Sequence, residues 1–239
     1  MESEIEAVRR SLLTGRIVAF TGAGISAESN VPTFRGAGGL WRNYSPERLA
    51  TPEAFSSDPR LVWEWYDWRR GIVRAAQPNP GHLALSELQR RTPERFTLVT
   101  QNTDGLHERA GSQDVVKLHG DIWLLQCTRC GREERNEQVP LNLLPPLCRC
   151  GGIQRPGVVW FGEMLPEDQW ERARRAARTA EVFIAIGTSA VVHPAAGLVL
   201  VARLTGARVV IMNPDPTPVD DLAEWILRGP AGEILPRLI

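Results

Sequence analysis

Thr21-Gly-Ala-Gly-Ile-Ser-Ala-Glu-Ser-Asn-Val-Pro-Thr-Phe-Arg-Gly36 follows the apolar run Ile17-Val-Ala-Phe20, and the two together decide the fold. The run reads as a buried parallel strand. A strand that breaks into Gly22-x-Gly24-x-x-Ala27 fits the dinucleotide-binding turn, whose third glycine position tolerates alanine. Glycine lets the backbone approach a pyrophosphate closely, and the helix that follows offers N–H groups without intrahelical partners. A glycine-rich turn is a weak signal by itself. The continuation is less common: a polar run ends in Pro32-Thr-Phe-Arg35, where an ordinary nucleotide fold would carry on as a plain amphipathic helix.

Four further apolar runs read as strands, at Phe96–Thr100, 115–118, Val182–Ile186 and Arg208–Met212. Helical patterns lie at 81–90, 167–180 and 194–204, the last with Pro194 in its first turn. Residues 2–13 form an amphipathic helix with Ile5, Val8, Leu12 and Leu13 on one stripe. Alternating strands and helices imply an α/β fold with a doubly wound parallel sheet. A polar cluster follows each of the four strands: Gln101-Asn-Thr-Asp104, His119-Gly120, Gly187-Thr-Ser189 and Asn213-Pro-Asp215. Each alone is ordinary turn chemistry. With the Gly22 turn they make five strand ends facing one crevice, where open α/β sheets bind ligands.

The 239 residues give room for one large domain, or a large and a small one, and 43% hydrophobic residues support a sizeable core. A net charge of zero excludes bulk attraction to nucleic acid or anionic lipid. The acidic start, Met1-Glu-Ser-Glu-Ile-Glu, has no hydrophobic signal segment, and no apolar run approaches the ~20 residues of a membrane span. These features predict a cytoplasmic monomer with no nucleic-acid or membrane partner. Lys117 is the only lysine beside many arginines, which reads first as codon bias.

Two stretches break the rhythm. Residues 37–80, rich in aromatics and proline, read as a helical module. Residues 123–152 carry all four cysteines. Both read as insertions that fold together as a small domain, leaving 1–36, 81–122 and 153–239 for the nucleotide-binding domain. Cys127-x-x-Cys130 and Cys148-x-Cys150 are close to the paired spacing of a four-thiolate zinc site. Two disulfides or buried free thiols are the competing readings, and disulfides do not suit a cytosolic chain. Four thiolates saturate a tetrahedral ion, so one structural Zn2+ is expected.

Of the four histidines, His82 follows Asn79-Pro-Gly at a helix start and reads as structural. His107 reads as exposed or capping. His193, before Pro194, is extended and either lines the crevice or caps. His119 ends a strand at the ligand-bearing edge, where a group with a reference pKa of ~6.5 serves as a general base; a core histidine is the alternative.

In order along nearly the whole chain, Gly22 to Arg35, Thr100-Gln-Asn-Thr-Asp104, Lys117-Leu-His-Gly120, the four cysteines, Arg155-Pro-Gly-Val-Val-Trp-Phe-Gly-Glu163 and Gly187-Thr-Ser189 resemble the sirtuin family. The resemblance implies a Rossmann-like domain plus a small domain of zinc and helical modules. It also implies an NAD-dependent protein lysine deacylase acting on acylated-lysine proteins or peptides, with NAD consumed. In that chemistry the acyl oxygen attacks C1′ of the nicotinamide ribose and nicotinamide leaves. The histidine matching His119 takes a proton from the ribose hydroxyls, the activated hydroxyl attacks the imidate, and with water the products are free lysine and O-acyl-ADP-ribose.

The match gives catalytic roles to His119, Asn102 and Asp104. It assigns the cofactor to Gly22, Ala23, Gly24, Thr33, Phe34, Arg35, Gln101, Asn102, Asp104, Gly187, Thr188, Ser189, Asn213 and Ala231. It assigns the substrate to Val159, Phe161, Gly162 and Glu163, in a segment resembling a strand that pairs with the peptide backbone. Asn30 and Thr103 depart from the common glycine and isoleucine without removing a group that has an assigned role.

Tyr66 and Arg69, at i and i+3 on a helix, share a face. Inside a sirtuin they resemble the pair that marks the class active on malonyl, succinyl and glutaryl lysine, and Ala50 resembles the small residue that leaves room for the longer chain. An arginine fork with a tyrosine hydroxyl suits a carboxylate, so succinyl and malonyl removal is expected, with acetyl removal beside it. The lone Lys117 then has a second reading: a deacylase that offers little of itself for acylation. Two alternatives use the same residues, namely mono-ADP-ribosyl transfer to protein and a non-catalytic NAD-binding zinc module.

Overall fold

The computed structural model describes residues 2–35, 39–40, 43 and 45–239; Met1 and Gly36, which ends the opening stretch, lie outside them. In chain order come α1 (Glu2–Leu12), β1 (Ile17–Thr21) and α2 (Gly24–Ala27), then α3 (Pro46–Leu49), α4 (Pro52–Ser57) and α5 (Pro59–Ala75). Next are α6 (Pro80–Arg91), β2 (Phe96–Thr100), α7 (Leu106–Arg109), β3 (Val116–Lys117), β4 (Gly120–Cys127), β5 (Glu133–Arg135) and β6 (Gln154–Val158). The chain closes with α8 (Glu167–Thr179), β7 (Val182–Ile186), α9 (Gly197–Leu204), β8 (Arg208–Met212), β9 (Trp225–Leu227) and α10 (Ala231–Ile234).

β1 is buried at all five positions because helices cover both faces of its sheet. Ile17 and Ala19 join a core with Ile5, Val8, Leu85 and Ile234, from α1, α6 and α10. Val18 and Phe20 join the opposite core with Ala173, Ala177, Leu198 and Ala202, from α8 and α9. The six strands run parallel in the order β3-β2-β1-β7-β8-β9. The doubly wound α/β sheet expected from the sequence is therefore present. Strand order reverses between β1 and β7, which opens a crevice at their carboxyl ends.

Several expected boundaries move. β3 spans two residues where four were expected, and β9 was not expected at all; three residues carry too little pattern. α9 begins at Gly197, not at Pro194: the residues before it form a turn closed by Ala196 N–H to Val192 O (2.9 Å) and Gly197 N–H to Pro194 O (3.0 Å). Leu13 lies beyond the last residue of α1 and is 73% exposed, so it does not share the buried stripe. Among the described residues no helix is long and apolar enough to cross a membrane.

The two inserted stretches share a third core, in which Val62, Trp63 and Val73 of α5 meet Ile122, Trp123 and Leu125 of β4. An antiparallel sheet β5-β4-β6 carries the cysteine-bearing stretch. β4 runs across the expected division at 122/123, and β6 belongs to this small sheet. Trp63 Nε1 donates to Gln154 O at 2.7 Å. The fully buried Arg70 donates through Nη2 to Asn136 O (2.6 Å), Asn136 Oδ1 (2.9 Å) and Gln138 O (3.1 Å). α5 starts on a cap, Asp58 accepting from Leu61 N–H, with Pro59 in its first turn. Tyr66 and Arg69 lie on its buried face, whereas Trp68 is 43% exposed.

Candidate active site

A cavity of about 620 Å3 opens where the strands end, lined by Gly22, Gln101, His119, Gly187 and Asn213 from the five expected clusters. This size suits a small-molecule site. The strand ends are stitched together: Gly22 N–H donates to Ile186 O (3.0 Å), Gly24 N–H to Gly187 O (2.8 Å), and Gly187 N–H to Met212 O (2.8 Å). A Cβ on Gly22 or Gly24 would lie 2.8 or 2.7 Å from Gly187 O. Gly187 itself has φ +57, and a Cβ there would stand 2.4 Å from Ile25 N. These glycines are thus required first for backbone-to-backbone approach between β1 and β7.

The expected helix with free amides is a single turn. The N–H groups of Gly24, Ile25 and Ser26 are taken by the carbonyls of Gly187, Gly22 and Ala23. Of the other residues matched to the cofactor, Ala23, Thr33, Phe34, Arg35, Asn102, Thr188 and Ser189 line the cavity. Gln101 Nε2 donates to Thr188 Oγ1 at 2.9 Å and ties two of these clusters.

His119 is held by a bond between its Nδ1 and Gln101 O at 3.0 Å. A carbonyl only accepts, so Nδ1 carries the proton and Nε2 keeps its lone pair. Among the described residues Nε2 has no hydrogen-bond partner, and the ring lines the cavity. Burial lowers its pKa below 6.5, against the opposing Gln101 bond, so the ring is neutral at pH 7.

Asp104 is not on the cavity wall. Its Oδ2 accepts from Ser26 Oγ (2.8 Å) and its Oδ1 from Leu106 N–H (2.9 Å). Burial raises its pKa above the usual carboxylate value. Asn102 Nδ2 bridges Ser26 Oγ (3.2 Å) and Gly22 O (3.1 Å), so the hydrogen bonds of Asp104 reach the cavity through Ser26 and Asn102. Ala231, also matched to the cofactor, lies away from the cavity at the start of α10 beside Gly81.

The other histidines divide. His82 is fully buried in a capping box with Asn79, as a structural residue should be. Its Nε2 lies 3.4 Å from Ser26 Oγ. His107 is buried, not exposed: Nε2 lies 2.9 Å from Thr21 Oγ1, and its ring meets His82 edge-on at 4.9 Å. Without a fold, the four-residue helix α7 gave no sign of which side faced inward. His193 lines the cavity.

Further wall comes from Ala50, Tyr66, Arg69 and the run 158–163. Tyr66 Oη accepts from Trp160 Nε1 at 3.0 Å. The Arg69 guanidinium lies 4.3 Å from the Phe34 ring centre and 5.0 Å from that of Trp65, with no ion pair among the described residues. The segment expected as a strand is a turn after β6: Glu163 N–H donates to Trp160 O (3.1 Å), because the Glu163 carboxylate folds back on Arg155 and Trp160 N–H. Val159 N–H donates to His119 O (3.0 Å) and Phe161 N–H to Ala50 O (2.9 Å). Gly162 completes the turn at φ +86.

The sulfurs of Cys127, Cys130, Cys148 and Cys150 all lie within 4.8 Å of one another. Cys127 to Cys150 is 3.5 Å, and Cys130 to Cys148 is 3.8 Å. Tetrahedral Zn–S bonds of about 2.3 Å separate sulfurs by roughly 3.8 Å. The amide of Cys130, with that of Arg129, points at Cys127 Sγ and lowers its pKa to about 6. Four clustered sulfurs with amide support fit a structural zinc site that leaves no open position.

Sequence reading missed Ser26, Leu165 and Val192 as neighbours of the site. Ser26 stood inside the opening stretch, but nothing local marked its hydroxyl as the link between Asp104 and Asn102.

A model described as the Sir2 family matches residues 22–194. An NAD-dependent protein deacylase of Aquifex aeolicus (strain VF5) is 55% identical over 223 residues, which is 93% of each chain. A solved Sir2 homolog–NAD complex superposes with a TM-score of 0.91 at 48% identity, over 98% of this chain and 91% of that one. A Sir2–p53 peptide–NAD+ structure superposes with a TM-score of 0.89 at 33% identity, over 98% and 96%. On the family match and the identity over nearly the whole length, this chain belongs to the Sir2 family, the sirtuins.

Proposed function

We propose that the chain is an NAD-dependent protein lysine deacylase that favours acyl groups ending in a carboxylate, succinyl and malonyl among them, and removes acetyl as well. The deacylase reading rests on the family and on the named relatives. The likeness to a Sir2 structure holding a peptide with NAD+ supports an acylated-lysine peptide as the second substrate. His119 Nε2 takes a proton from the ribose hydroxyls. Asn102 sets polar groups against charge that develops on the ribose, with Asp104 and Ser26 holding it in place. Gly22, Ala23, Gly187, Ser189 and Asn213 bind the nucleotide, and Val159, Phe161 and Gly162 face the peptide. The zinc site keeps the small sheet folded and takes no part in the reaction.

One observation carries the acyl preference. Arg69 is buried, lines the cavity and has no counter-ion among the described residues. Burial lowers its pKa, against the pull of Tyr66 and Asp104. Such a group is costly to bury alone, and a carboxylate on the acyl chain completes it. The test is nicotinamide release from NAD with malonyl, succinyl, glutaryl, acetyl and butyryl peptides of one sequence. Acidic chains should give the highest kcat/KM; equal or better turnover of butyryl would remove the specificity reading.

A further inference from the structure

Among the described residues the hydroxyl of Tyr66 has one hydrogen-bond partner, the indole Nε1 of Trp160 at 3.0 Å. An indole nitrogen donates and never accepts. The phenol oxygen is therefore the acceptor, and its own proton has no acceptor among the described residues. Both side chains line the cavity, beside Arg69. Burial, opposed by Arg69, pushes the Tyr66 pKa up to about 12, so the phenol keeps its proton at working pH.

We infer that Trp160 is a positioning residue that aims the Tyr66 O–H into the cavity, so that Tyr66 and Arg69 together present donors and no acceptor to the end of the acyl chain. Trp160 is itself braced. The Arg155 guanidinium lies 3.6 Å from its ring centre, and Phe55 packs at 5.3 Å. Glu163 Oε2 accepts both from Trp160 N–H and from Arg155 Nη2, each at 2.8 Å. The carboxylate of Glu163 thus serves the bracing of Trp160. Without the indole N–H, the phenol proton is free to rotate and the oxygen is free to accept, so neutral polar acyl ends lose their penalty.

The inference rests on the proposed preference for acidic acyl groups. Trp160→Phe keeps an aromatic ring against Arg155 and Phe55 and removes the donor together with part of the buried indole volume. Should it not fold, 3-benzothienylalanine at position 160 keeps the tryptophan shape with sulfur in place of N–H. kcat and KM are measured on succinyl- and acetyl-lysine peptides for wild type, Trp160→Phe, Tyr66→Phe and the double variant. The succinyl-to-acetyl ratio of kcat/KM should fall about three- to tenfold in Trp160→Phe, mainly through KM for the succinyl peptide. The double variant should fall no further than Tyr66→Phe alone. A ratio that drops in Tyr66→Phe but not in Trp160→Phe overturns the inference and leaves the acidic preference standing. A wild type without any preference for succinyl overturns both.

Discussion

Replacing Arg69 by methionine removes a buried guanidinium and keeps a long unbranched side chain against Phe34 and Trp65. Hydrogen bonds to a charged partner contribute ~1.5–3 kcal/mol. At ~1.4 kcal/mol per decade, the succinyl-to-acetyl ratio of kcat/KM should fall by ~10- to 100-fold. The free protein should lose little stability. The two aromatic stacks contribute ~0.5–2 kcal/mol, and relief of an unpaired buried charge offsets them. A net change within ~1 kcal/mol moves Tm by no more than ~2–4 °C for a chain of this size. Steady-state nicotinamide release on the two peptides gives the first quantity and thermal unfolding without ligands gives the second. Equal losses on both peptides, or an unchanged ratio in a folded variant, would refute the reasoning.

His119 is held neutral by burial, so activity should fall only as pH drops below 6.5, and a kcat/KM profile with its acid limb at or above pH 7 would contradict this. His82, lowered to about 4, and His107, lowered well below 6.5, are both kept neutral by burial. Their folded-state pKa values lie below the unfolded ones, so their contribution is complete above pH 6.5 and is lost as pH falls toward 4. Denaturant midpoints should decline across that window, with a shallower slope in His82→Gln; an equal slope would count against it. Lys117 Nζ bonds Asp121 Oδ2 at 2.7 Å and pairs with Glu108. Burial opposes its charge, but those two carboxylates raise its pKa and keep the amine protonated. Exposure to succinyl-CoA followed by peptide mass spectrometry should therefore find little acylation there, and extensive modification would argue against this.

Most of the sheet was legible because β1, β2, β7 and β8 are largely apolar runs, and because polar clusters at five strand ends reported a single crevice. The cysteine spacing carried its geometry for a similar reason, since four thiolates must surround one ion. Other features depended on contacts between distant segments. The glycines of the opening stretch read as a phosphate cradle, yet their closest neighbour is Gly187, about 160 residues away in the chain. His107 read as exposed or capping because α7 is one turn long, with no periodicity to show its inner side. Trp160 to Glu163 was expected as strand from the family resemblance alone; the fold-back of Glu163 on Arg155 makes it a turn. Asp104 read as a wall residue, and only the Ser26 contact shows that it stands behind one.

Mass analysis of the products from NAD and a succinyl-lysine peptide tests the central claim most directly. Nicotinamide, O-succinyl-ADP-ribose and free-lysine peptide should appear in equal amounts with the wild-type chain, and O-succinyl-ADP-ribose should be absent with His119→Ala. ADP-ribose attached to protein in place of O-succinyl-ADP-ribose, or full product formation by His119→Ala, would contradict it.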